Sequence, residues 1–153
     1  MFELWSPALA DVARMLDAIE LDTYEHMSAR EQIAACEALG RLESRVKAHQ
    51  LAAAAAADRS EAASTIGAAS TGAMIANGFG GDPGAAAKLL KQAKKIEDLS
   101  ATRQALARGE VSLAQAELIA DKVKDLPGDP TEAQREGCET QLLDDARSSA
   151  SKT

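Results

Sequence analysis

Four lysines within eight residues, Lys88, Lys91, Lys94 and Lys95, are the side chains whose type and spacing best suit a chemical task. No acid lies between Asp82 and Glu97. At 100° per residue, Lys88, Lys91, Lys94 and Lys95 project to one side of a helix. Leu89, Leu90, Ala93 and Ile96 project to the other, with Ala85 and Ala86. A helix so divided hides its leucines and turns ammonium groups outward, where each can meet a backbone phosphate and release counterions. The helix N-terminus adds the positive end of its dipole. Gln92 is the one base-reading side chain in this segment, so contact would position a duplex rather than read its sequence. A plain solvated face is the competing reading of the same lysines.

Other reactive side chains are sparse. His26 falls in an acidic link, and His49 falls on an apolar helical seam, where a core or boundary histidine is the default. Neither has a partner at metal-ligand spacing, and hydrolysis by a fixed ion needs both the ion and a positioned base. Cys36 and Cys138 stand far apart in helical contexts and read as two reduced, mostly buried thiols. Gly78–Gly81 precedes a helix but lacks the Gly-Lys-Ser/Thr ending of a phosphate loop. The residues therefore point away from catalysis by this chain.

The elements that must position the lysines are helices. Nearly half of the 153 residues are apolar, with alanine dominant and four aromatics in all. No stretch alternates β-branched and polar residues as a strand does. The expected fold is all-α: a multi-helix bundle with one long helix in the N-terminal half and a helix-turn-helix-like segment. Ser6 and Pro7 open a first helix with Leu9, Val12, Leu16 and Ile19 along one stripe. Ser28 and Glu31 form a capping box that opens the long helix, residues 28–57. Ala35, Leu39, Leu42, Val46, His49 and Ala53 recur along it at heptad spacing. Such a seam suits either an intramolecular bundle or a homo-oligomer. Thr71–Ala76, a glycine turn and Pro83–Ile96 make the helix-turn-helix-like pair, with Asp82 capping its second helix. Ser100 is expected to cap a short helix that Gly109 ends in the left-handed conformation. Ser112 and Gln115 form a second capping box, and Pro127 marks the stop of that helix. Asp129 and Pro130 are expected to start the last helix. Residues 147–153 are small and polar and are expected to form a disordered tail.

Charge is unevenly placed. The formal net charge is −7, which disfavours non-specific coating of nucleic acid. Residues 1–40 hold eight acids and two bases, whereas residues 82–108 hold six bases and three acids. The longest strongly apolar run, residues 51–57, is too short to span a bilayer. The residues Met1-Phe-Glu-Leu-Trp5 lack the basic start and apolar run of a targeting segment, so none is expected. A cytoplasmic protein without a membrane partner is expected.

Several segments in this order carry a resemblance: SAREQIAACEALGRLESRVKA, then Arg59-Ser60, Ser70-Thr71, LLKQAKKIEDL and ATRQALARGEVSLAQAELIA followed by LP. Together they resemble Domain of Unknown Function 222 over roughly residues 9–146. That family forms the N-terminal helical part of actinobacterial and phage HNH endonuclease-like proteins. The resemblance implies a helical domain over residues 1–146 and a metal-dependent nuclease module that is absent from this chain; together with the lysine face of residues 88–95 it makes duplex DNA, met through its phosphates, the expected partner. It implies no cofactor here, since a divalent metal belongs to that missing module. The segment around Pro83–Ile96 also resembles the DNA-binding part of ParB-type partition proteins. The alternative is a helical interaction or oligomerisation scaffold with no nucleic-acid role.

Overall fold

In the computed structural model, residues 6–60, 75–76 and 80–150 are described. They contain six α-helices, one 3-10 helix and no strand: α1 (Pro7–Asp17), a 3-10 turn (Leu21–His26), α2 (Ala29–Arg59), α3 (Pro83–Lys95), α4 (Ser100–Ala107), α5 (Leu113–Lys124) and α6 (Glu132–Ala150). The protein is all-α. It divides into two units, residues 1–39 and 40–153. Residues 71–74 of the first helix of the helix-turn-helix-like pair, and residues 77–79 of the turn after it, lie outside the described residues.

The first unit is built from local signals. Ser6 Oγ accepts from the Leu9 N–H at 3.4 Å, and Pro7 follows the cap. Ser28 and Glu31 close their capping box at 2.8 and 3.2 Å. The Gln32 side chain donates to the Tyr24 carbonyl at 2.9 Å and ties the 3-10 turn to the start of α2. No described residue of this unit is buried.

The second unit holds the core. Leu51 and Ala54 of α2 join Leu89, Ala93 and Ile96 from the α3 side. Ala105 and Leu106 of α4, Val111 of the link after it, Ala116, Ile119, Ala120 and Val123 of α5, and Leu143 of α6 complete it. Helix α5 packs against α3, α4 and α6. Alanine at these contacts lets backbones approach closely, which suits a core so poor in aromatics.

One polar interaction sits inside this packing. The Glu139 carboxylate of α6 accepts from the Thr102 N–H at 3.1 Å and from the Thr102 hydroxyl at 2.7 Å. Both residues are buried. Leu99 occupies the cap position of α4 and offers no side-chain oxygen. Ser100 therefore does not cap α4, contrary to expectation. It sits one position inside the helix, and a carboxylate from 37 residues away satisfies an orphan donor of the first turn. A negative group there also complements the helix dipole.

The link from α4 to α5 follows the sequence closely. Gly109 has φ +73°. The Glu110 N–H donates to the Ala105 carbonyl and the Gly109 N–H to the Leu106 carbonyl, the paired bonds of a Schellman C-cap. Gly109 also faces α2: a Cβ there would lie 3.0 Å from the Arg41 carbonyl oxygen. Ser112 and Gln115 then form both halves of a capping box, at 3.1 and 2.9 Å.

Two boundaries differ from the sequence reading. Helix α6 starts after Thr131, not at Asp129–Pro130, because Thr131 and Gln134 form a third capping box at 3.2 and 2.8 Å. It continues to Ala150, so residues 147–150 are helical where a disordered tail was expected. Arg147 anchors that turn by donating from Nε and Nη2 to Glu110 at 3.0 and 2.8 Å.

Two outcomes follow for urea unfolding. Glu139→Ala strands two buried donors of Thr102 and should cost about 1–3 kcal/mol, with Glu139→Gln costing less because an acceptor oxygen remains. Gly109→Ala should cost at least about 1 kcal/mol from the left-handed backbone alone, and more from crowding against Arg41.

Candidate functional site

Helix α3 forms because Asp82 caps it, Pro83 presets its first turn and alanines fill its N-terminal half. Asp82 Oδ1 accepts from the Gly84 N–H at 2.9 Å. The helix divides as its sequence dictates. Ala86, Leu89 and Ala93 are buried, as is Ile96 at its C-cap, while Lys88, Lys91, Lys94 and Lys95 are exposed. The four amines thus share the outer side of one helix.

The four are not equivalent. Lys95 Nζ lies 2.9 Å from Asp121 of α5, and Lys94 Nζ lies 3.8 Å from Asp58 of α2. Nearby, Arg59 pairs with Glu97 at 3.3 Å. The C-terminal end of the basic face is therefore met by carboxylates from two neighbouring helices. Lys88 and Lys91 make no ion pair with a described residue. Sequence reasoning on α3 alone does not reveal Asp58 and Asp121, because neither lies on that helix.

Beside this face runs an open cleft of about 1040 Å³ between α3, α5 and α6. Five basic side chains, Lys91 and Lys95 among them, face five carboxylates, including Asp121 and Glu139. A lining with balanced charge gives no preference for an anion inside the cleft. Lys91 lines this cleft and Lys88 does not.

The remaining candidates do not converge. Among the described residues no group of three His, Cys, Asp or Glu could hold a metal ion. His49 is exposed, not part of the core. Cys36 is exposed and Cys138 half-buried, so only the second approaches the buried thiol expected. No helix among the described residues is long and apolar enough to cross a membrane.

The long helix holds the largest departure. Its buried face is Leu51 and Ala54, flanked by half-buried Ser44, Lys47, Ala48, Ala55 and Asp58. The heptad seam read from the sequence lies about two residues out of phase, or roughly 200° around the helix. In the single chain Leu42 and Val46 are 47% and 49% exposed. The seam is not what holds α2 to its own core.

These features define an all-α helical module in which four lysines share the outer side of one helix. The sequence matches the model of a family described as Domain of unknown function (DUF222) over residues 26–153, and the chain belongs to that family. No curated protein and no solved structure matched it.

If the Lys95–Asp121 pair is an ordinary surface ion pair, Lys95→Gln should change the unfolding free energy by less than about 1 kcal/mol. Urea unfolding at low and high salt checks this.

Proposed function

We propose that this chain is a non-catalytic helical domain of an HNH endonuclease-like protein and meets duplex DNA through backbone phosphates. The observation that carries the reading is the division of α3: Leu89, Ala93 and Ile96 face the core, while Lys88 and Lys91 stand in solvent. Phosphate contact needs no base-reading side chains, which agrees with the composition of this face. Lys94 and Lys95 contribute less, since a phosphate must compete with Asp58 and Asp121 for them. Chemistry on the DNA would belong to a metal-dependent nuclease module elsewhere in such a protein.

Weak duplex binding at low salt is expected, measured by fluorescence anisotropy. Replacing Lys88 and Lys91 by Gln should lower the slope of log K against log salt by about 2, and Lys88→Glu with Lys91→Glu should abolish binding. Undiminished binding by the Glu double variant rejects this face.

A second reading, a helical interaction scaffold, rests on a different observation: Leu42 and Val46 of α2 are uncovered in the single chain.

A further inference from the structure

We infer that two copies of this chain pair by exchanging their N-terminal units, the acidic arm of one docking on the uncovered face of α2 in the other. The inference rests on the scaffold reading and is independent of DNA contact.

Two apolar surfaces in the chain lack cover. On the arm, Leu9, Val12 and Leu16 of α1, with Ile19 just beyond it, are 45–53% exposed at helical spacing. On residues 40–59 of α2, Leu42 and Val46 are exposed. Beside them a shallow groove of about 270 Å³ runs between α2 and α4, lined by His49, Ala52, Arg103 and Ala107 among others. The first unit buries none of its described residues. Its apolar stripe therefore contributes nothing to a core, although covering apolar surface is favourable.

Charge selects the pairing. Residues 1–39 hold eight acids and two bases, and residues 40–60 hold four bases and two acids. Arm against arm would oppose two strongly acidic surfaces. Seam against seam would oppose Arg45 with itself. Arm against seam sets Asp17 and Glu20 beside Arg45 and Arg103, and buries both stripes at once. A single arm contact is small beside the roughly 800 Å² per partner of a stable interface. A twofold axis repeats the contact and closes the assembly.

The test uses the full chain without DNA. Sedimentation equilibrium should show a dimer, and Leu16→Asp and Val46→Asp should each weaken it at least tenfold. Two charge variants then distinguish exchange from other pairings. One carries Asp17→Lys and Glu20→Lys on the arm; the other carries Arg45→Glu and Arg103→Glu on the seam. Each alone should be monomeric, since its arm and seam now repel. Mixed, they should form a heterodimer, because every arm then meets a seam of opposite sign. Heterodimer formation also shows that both variants fold. A monomeric wild type at all concentrations overturns the inference. So does a dimer indifferent to Leu16→Asp, or a mixture that stays monomeric while circular dichroism shows both variants helical.

Discussion

The second unit depends on one buried carboxylate. Glu139 reaches from the middle of α6 to the first turn of α4 and accepts two hydrogen bonds from Thr102. Helix α4 is only eight residues long and has no cap of its own. Helices this short are marginal alone, because nucleation fixes several residues for few hydrogen bonds. Packing of Ala105 and Leu106 supplies part of what α4 needs, and the Glu139 contact supplies the rest. The same contact sets how α6 lies against α4, so Leu143 reaches the core that α5 lines. Desolvating a carboxylate is costly unless its partners are fixed, and here both donors belong to one fully buried residue.

The features legible in the sequence are those decided within a few residues. Asp82, Ser28 with Glu31, and Ser112 with Gln115 all cap where their spacing says they should. Gly109 takes the backbone its position demands. The two-sided character of α3 was legible because its apolar and basic residues are different types at regular intervals. Where two local signals competed, spacing alone did not decide: Asp129 with Glu132 and Thr131 with Gln134 both have capping-box spacing, and it is Thr131 with Gln134 that closes the reciprocal pair of bonds.

What was not legible was decided across the fold. The cap of α4 comes from 37 residues away, and the carboxylates beside Lys94 and Lys95 come from two other helices. The phase of α2 is not legible in the sequence for a compositional reason. Alanines 52–57 place apolar side chains on every side of the helix, so periodicity there does not discriminate. Burial went to the face carrying Leu51, the one leucine in that half, and the more regular stripe stayed outside. For the candidate interface, the sequence placed all four lysines on one side but could not rank them. The structure ranks them by what stands opposite.

The division at Leu39–Gly40 has a consequence for solution behaviour. From Gly40 onward the chain holds fifteen bases and sixteen acids, so the part with the core is almost electrically neutral at pH 7. Nearly all of the mutual repulsion that keeps molecules dispersed resides on a segment none of whose described residues is buried. Proteolysis near residue 39 would leave the core contacts in place yet strip away that colloidal protection, yielding a folded fragment prone to precipitate.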